Sequence, residues 1–155
     1  GSLNDLGSCP AIKVVKCWLN GWATSHRMHE DEVHGCLLGC KCASDSLSHY
    51  VMCPHLYAFQ LFFLRGISDD PLVRFGIRHP HKFPPQVLSC LFSAYHSLKR
   101  DVTSGKINLH SSNWLSRAWS VFAEAQIKQW TSSPVWTPVM LERSHWPTGV
   151  VAYEH

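Results

Sequence analysis

Three cysteines and one histidine in the first half of the chain have the types and spacing of a metal-binding set. They form two pairs, Cys36 with Cys40 and His49 with Cys53. Residues 45–52 read as the start of a helix, and positions i and i+4 share a helix face, so the His49 imidazole and the Cys53 thiolate would project together. Gly39 would let the backbone turn so that the first two thiolates face one point. Three thiolates and one imidazole complete the tetrahedral shell of a structural zinc, which leaves no position for an activated water.

Other donors and another interpretation remain open for this stretch. Cys42, His34 and His55 are further possible ligands. We prefer Cys40 to Cys42 because Gly39 turns the chain immediately before it, whereas Cys42 would leave the second part of the site cramped. The alternative without metal is that these cysteines are small buried hydrophobic residues or reduced surface thiols.

The sequence lacks the patterns of the metal enzymes and nucleases that it superficially resembles. His29 and His34 nearly spell the zinc-protease motif His-Glu-x-x-His, but they are five residues apart instead of four and would diverge on a helix. A deaminase would need a Pro-Cys-x-x-Cys partner, which is missing. A restriction-like nuclease would need Pro-Asp followed by a spaced acid and lysine, which is also missing. We therefore predict no catalytic residue and a chain that is not itself an enzyme.

Three segments of the chain together resemble a known family. They are Trp18-Leu-Asn-Gly-Trp22-Ala-Thr-Ser-His-Arg27, then Cys36-x3-Cys40-x8-His49-Tyr-x2-Cys53-Pro, then Leu56-Tyr57. Residues 11–64 resemble the region that follows the polymerase domain in non-LTR (LINE-type) retrotransposon reverse transcriptases. The resemblance implies a CCHC zinc knuckle that helps to hold RNA or target DNA, with the remainder of a reverse transcriptase as a further partner. The polymerase's metal-binding aspartate motif is missing, so no polymerising activity is implied.

Composition indicates one ordinary domain with a real core, or a small zinc module packed against a helical one. The chain has 155 residues, of which 45% are apolar and 16% are charged, with seven tryptophans and seven phenylalanines. Seven clustered cysteines, an odd number, favour reduced thiols and metal over a disulfide framework, so we expect an intracellular location, cytoplasmic or nuclear. No apolar run is long enough to cross a bilayer, so no membrane partner is expected.

The positive charge is concentrated in the middle of the chain. The net charge is +3, and residues 61–106 carry seven Lys and Arg against three acids. A basic surplus of this kind suits contact with a phosphate backbone, although a solvated helical face would give the same pattern. The residues predicted to contact nucleic acid are Arg74, Arg78 and Lys82, with Lys13, Lys16 and Arg27 from the N-terminal part.

The N-terminal part is predicted to contain three helices around the metal ligands. The first covers residues 11–20, with a core stripe of Ile12, Val15 and Leu19 and a stop at Asn20-Gly21. Trp18 is expected to be buried, and the environment of Trp22 is left open. Asp45 or Ser44 would cap the second helix, which carries His49, and Pro54 would begin a third helix that continues to residue 64.

The remainder is predicted to be helical up to residue 130. A short helix over residues 69–75 and an extended connector over 76–85 precede two longer helices, 86–104 and 114–130, which would pair as an antiparallel hairpin. Residues 131–155 read as an irregular tail anchored by Trp136 and Trp146, with a short strand over 150–153. The predicted fold is therefore mostly α, with a small CCHC zinc knuckle, a helical hairpin or bundle and an irregular C-terminal tail. Its segments 1–64, 65–130 and 131–155 would form one compact unit.

Two functions are consistent with these features. The first is a non-catalytic zinc-binding module of a retrotransposon-type reverse transcriptase that contacts RNA or target DNA through salt-sensitive backbone contacts. The second is a zinc-stabilised helical scaffold that binds another protein, which the weak overall charge and abundant tryptophan favour.

Overall fold

The computed structural model describes residues 7–40, 43–63, 68–79 and 85–131, and most of these residues are helical. Within these ranges the helices are α1 (Ser8–Trp18), α2 (Ser25–Met28), α3 (Leu47–Met52), α4 (Pro54–Phe63), α5 (Pro71–Arg74), α6 (Pro85–Thr103) and α7 (Trp114–Thr131). Extended backbone pairs in an isolated antiparallel bridge between Gly35 and Ser44. The prediction of a mostly α fold is therefore confirmed.

Local sequence signals account for the end of α1. Asn20 adopts a left-handed conformation, with φ of 54°, and the N–H of Gly21 donates to the carbonyl oxygen of Lys16 at 2.5 Å. A Cβ atom at Gly21 would lie 2.7 Å from that same oxygen, so glycine is required here. The predicted stop at Asn20-Gly21 follows from this close approach.

The start of α5 has a similarly local cause. The Asp70 side chain accepts a hydrogen bond from the backbone N–H of Leu72 at 2.9 Å, and Pro71 occupies the first helical position. Proline is favoured there because its missing N–H would have no partner within the helix. This short helix begins where the Asp-Asp-Pro sequence predicted it.

The face of α1 that enters the core is not the predicted one. Val14 and Cys17 are buried on the side of the helix that packs against α6, whereas Ile12, Val15 and Leu19 are exposed. The predicted stripe was wrong because α1 is apolar on more than one side. The spacing of apolar residues alone does not show which side packs against another helix. Leu19 is 75% exposed and lies almost opposite the buried face.

The two tryptophans near the end of α1 have very different environments. The burial expected for Trp18 is wrong, because its side chain is 41% exposed and its Nε1 donates to the carbonyl oxygen of Phe75 at 2.9 Å. Trp22 is fully buried and forms the centre of an aromatic cluster. Its ring centroid lies 4.6 Å from that of Tyr95, 5.6 Å from that of Tyr50 and 6.4 Å from those of Phe75 and Phe92.

Helix α6 is the central element of the core, since it packs against both α1 and α7. The row predicted to face the core is buried, as expected: Val87, Leu91, Tyr95 and Leu98. Ala118 and Ala123 of α7 are buried as well. The antiparallel pairing of α6 and α7 stays a prediction, and so does the division of the chain into three segments.

Several predictions fall outside the described residues. They include Cys42, Lys82, the tail after residue 131, its anchors Trp136 and Trp146, and the strand over residues 150–153. The side chains of the predicted core row of α7 are not described either, and these are Leu115, Trp119, Phe122 and Ile127.

Candidate metal centre

The four predicted ligands come together at one point. Cys36, Cys40, His49 and Cys53 each offer one ligand atom, and these atoms lie within 4.8 Å of one another. The Sγ atom of Cys53 is 3.9 Å from that of Cys36 and 3.6 Å from that of Cys40. Zinc–sulfur bonds of about 2.3 Å would place two thiolates of a tetrahedral site about 3.8 Å apart. The cluster therefore has the dimensions of a site that can hold a metal ion.

A tight turn positions the first two cysteines. The N–H of Cys36 donates to the carbonyl oxygen of Ala43 at 2.8 Å, beside the bridge between Gly35 and Ser44. The chain then reverses through Gly39, which has a φ of 95° and donates its N–H to the carbonyl oxygen of Cys36 at 3.0 Å. This positive φ is favourable for glycine and costly for other residues, as the sequence suggested.

Helix α3 positions the other two ligands, but its cap differs from the predicted one. Ser46 is the N-cap, and its side chain accepts from the backbone N–H of His49 at 3.3 Å. Either Asp45 or Ser44 was predicted to fill this role. Ser44 is instead paired with Gly35, and the Asp45 carboxylate points into the core. Sequence alone could not choose among three neighbouring residues that all favour helix caps.

Backbone N–H groups point at two of the sulfur atoms. Leu38 donates its N–H to the Sγ of Cys36, and Leu56 donates its N–H to the Sγ of Cys53, both at 3.4 Å. Because Cys53 ends α3 and immediately precedes α4, its sulfur also lies at the N-terminal end of the α4 dipole. Both features favour a thiolate, which is the form that binds metal.

Proton sharing within the cluster shows how it is prepared for a cation. The hydrogen bond with Cys53 lowers the pKa of Cys36 to about 5, with help from backbone N–H groups. Burial and the Cys36 thiolate raise the pKa of Cys40 to about 11, and the hydrogen bond to Cys36, together with burial, raises the pKa of Cys53. Because metal binds thiolates, it must displace the protons that the cluster retains, so metal affinity falls as the pH falls.

The histidine also fits a metal ligand. The Nε2 atom of His49 is buried and has no hydrogen-bond partner in the part of the chain that the structure describes. Buried ring nitrogens normally have a partner, so this atom is available to a cation. Of the alternative donors, His34 does not join the cluster, and its Nε2 lies 3.9 Å from a carboxylate oxygen of Glu30.

A buried polar network next to the cluster was not predicted. The carboxylate of Asp45 is fully buried and accepts from the N–H and hydroxyl of Ser25 at 2.8 and 2.9 Å. It also accepts from the hydroxyl groups of Tyr50 and Tyr95, both at 2.9 Å, and from the ammonium of Lys99 at 3.1 Å. Burial and the Asp45 carboxylate raise the pKa of Tyr95, so its hydroxyl stays a donor.

Lys99 is the cation of this network. Its ammonium is buried and donates to Ser25 at 2.7 Å and to Glu30 at 2.8 Å, besides Asp45. Removing one partner of a buried ion pair costs about 3–5 kcal/mol, because it leaves the other charge unpaired. No local pattern links these residues, since Asp45 and Lys99 are 54 positions apart. Sequence reasoning therefore had no signal that could have found them.

The residues predicted to contact nucleic acid occupy varied positions. Lys16 and Arg27 are exposed, Lys13 is half-buried, and Arg78 is exposed with an ion pair to Asp70 at 2.9 Å.

Arg74 belongs to the interior. It is 5% exposed, its guanidinium donates to the carbonyl oxygens of Asp69 and Val51, and it lies 4.2 Å over the ring of Tyr57. These contacts leave the Arg74 guanidinium poorly placed to reach a phosphate.

Comparisons with known proteins give no family for this chain. No family model, no curated protein and no solved structure matches it. Among the residues that the structure describes, no helix is both long and apolar enough to span a membrane.

Proposed function

We propose that the chain is a non-catalytic, zinc-stabilised module of the kind found in the C-terminal region of LINE-type reverse transcriptases, and that it contacts RNA or DNA. The cluster of Cys36, Cys40, His49 and Cys53 carries this proposal. Three sulfur donors and one nitrogen donor are the ligands that structural zinc prefers, and four protein ligands fill its tetrahedral shell. The metal would join the Cys36–Cys40 turn to α3 and α4. A reducing cytoplasm or nucleus would keep the thiols available.

The α1 region supports contact with nucleic acid. Trp18 exposes part of its indole ring, and the hydrogen bond to Phe75 fixes the position of that ring. Lys16 and Arg27 are exposed cations in the same part of the chain, and α1 contains no acidic residue. Exposed cations and a fixed aromatic ring suit the phosphates and bases of a single strand.

Binding of a labelled single-stranded oligonucleotide should fall steeply as salt rises, because phosphate contacts release counterions. We expect the double variant Lys16→Ala/Arg27→Ala to bind more weakly, with a log–log salt slope smaller by about 1.4 for the two lost contacts. Fluorescence anisotropy at about 50 to 200 mM salt measures both quantities. Arg100→Ala removes an exposed cation on α6 and serves as the control. An affinity that does not change with salt would remove nucleic acid from the proposal.

A protein partner is the second candidate, and the outer face of α1 favours it. Ile12, Val15 and Leu19 form an exposed aliphatic band on the side away from the core. Aliphatic side chains contribute little to phosphate recognition, whereas a contiguous apolar band is typical of a protein interface. The remainder of a reverse transcriptase is the partner that the sequence resemblance suggests.

Replacing Leu19 by aspartate distinguishes the two candidates. If the band binds protein, Leu19→Asp should abolish co-purification with a separately expressed LINE-type polymerase segment, because it places a charge in an apolar interface. Lys16→Ala should leave that complex intact, and about 0.5 M salt should not dissociate it. Retention of the polymerase segment by Leu19→Asp at wild-type levels would exclude the band as the interface.

A further inference from the structure

Asp45 lies between the two halves of the metal-binding set. Its backbone N–H donates to the carbonyl oxygen of His34 at 2.8 Å, which joins it to the segment that leads into Cys36. The next residue, Ser46, caps the helix that carries His49. The backbone position of Asp45 therefore affects both ligand pairs.

The hydroxyl of Tyr50 makes a second connection between the two halves. It donates to Asp45 at 2.9 Å and accepts from the backbone N–H of Leu37 at 3.1 Å. Leu37 follows Cys36 in the chain, and Tyr50 follows His49. The buried Tyr50 hydroxyl therefore connects Leu37, next to the ligand Cys36, with the helix that carries the ligand His49.

Helix α6 reaches the same carboxylate. Tyr95 and Lys99 both donate to Asp45 from one face of this helix, which also packs against α1 and α7. Lys99 also donates to Ser25, the first residue of α2, and to Glu30, two residues after the end of α2. The Asp45 carboxylate therefore connects the metal centre to α6, the longest helix that the structure describes.

We propose that Asp45, Tyr95 and Lys99 are positioning residues for the metal centre, and that metal binding and the docking of α6 form one cooperative step. The network holds the Cys36–Cys40 turn and the His49-bearing helix in register while the metal is bound. Metal binding in turn fixes the Asp45 carboxylate under α6. This inference rests on the metal site of the proposed function, but not on its nucleic-acid partner.

Zinc affinity of the full chain, measured by competition with a chromophoric chelator at fixed pH, tests the positioning role. Lys99→Met should weaken zinc binding about ten- to a hundredfold, the range found when residues that orient metal ligands are replaced. Tyr95→Phe removes one hydroxyl and keeps the ring, and it should weaken binding about fivefold. The absorption bands of bound Co²⁺ should shift or lose intensity in both variants, because the ligands are less well oriented.

Two controls separate positioning from a general loss of stability. Arg100→Met changes the exposed neighbour of Lys99 and should leave zinc affinity within about twofold, as a surface substitution should. Val87→Ala removes buried volume at the far end of α6 without touching the network. It should destabilise the fold and leave the Co²⁺ bands unchanged. If Val87→Ala weakens zinc binding and alters these bands as much as Lys99→Met does, the inference is overturned.

Hydrogen exchange on the wild-type chain tests the cooperative step. Chelation of zinc should increase exchange in α6 together with exchange in α3, because the two are linked through Asp45. An α6 that stays fully protected after chelation overturns the inference, as does wild-type zinc affinity in both Tyr95→Phe and Lys99→Met. If Lys99→Met does not fold, Tyr95→Phe decides the outcome. A wild-type chain that binds no zinc overturns the metal site itself, which is a separate result.

Discussion

Replacing Cys53 by serine should abolish metal binding and unfold the region around the cluster. The Cys53 sulfur is close to the sulfur atoms of Cys36 and Cys40 and accepts a hydrogen bond from the N–H of Leu56 in the first turn of α4. Cys53 therefore links the end of α3, the start of α4 and the metal cluster. Structural zinc contributes about 10–16 kcal/mol in small zinc-finger peptides, as much as the whole stability of a typical domain. Elemental analysis should find one zinc per wild-type chain and none in Cys53→Ser, with reduced helical circular dichroism.

Two cysteine variants provide the controls. Cys9→Ala changes an exposed cysteine outside the cluster and should retain zinc and helicity. Cys42→Ser should also retain zinc, whereas Cys40→Ser should lose it, because Cys40 lies in the cluster. Zinc that is retained in Cys40→Ser but lost in Cys42→Ser would reassign the second ligand. Full zinc content in Cys53→Ser would contradict the site.

Replacing Trp22 by alanine should have the next largest effect, a loss of about 3–5 kcal/mol in the free energy of unfolding. The side chain is fully buried, and its ring contacts aromatic residues from α3, α6 and the end of α5. Its removal would leave a cavity that such a densely packed cluster cannot close. Urea unfolding of the zinc-loaded chain, followed by circular dichroism, measures the change.

Trp18→Ala is the matched control for this substitution. Trp18 lies four residues away, is partly exposed and makes one hydrogen bond through its indole. Its replacement should cost about 1 kcal/mol, the usual contribution of a hydrogen bond with some lost packing. Equal losses for the two variants would contradict the assignment of Trp22 to the centre of the core.

The predictions that the structure confirms rest on short-range chemistry. The cluster was predictable because two ligand pairs, a turn glycine and a helical spacing all lie within a short stretch. The start of α5 and the stop after α1 were predictable for the same reason, since Asp70-Pro71 and Asn20-Gly21 act on neighbouring backbone. The buried row of α6 followed from a single dominant apolar periodicity.

The errors occurred where a choice depended on distant partners. Helix α1 has two apolar sides, and contact with α6 selected Val14 and Cys17 over the predicted stripe. The nucleic-acid contact of Arg74 stays a prediction, but carbonyl oxygens and the ring of Tyr57 hold its guanidinium in the interior, which the basic stretch around it did not indicate. Charge counts along a sequence do not register such contacts.

By itself, the sequence determined which side chains can form the metal cluster and where several helices begin and end, because those properties depend on residues a few positions apart. Tertiary structure alone decided which face of α1 is buried, which tryptophan is central, and that Asp45 pairs with Lys99 in the core. The physical reason is that burial and ion pairing depend on which surfaces meet after the chain folds. Asp45 and Lys99 are 54 positions apart, and no local sequence pattern indicates that they form an ion pair.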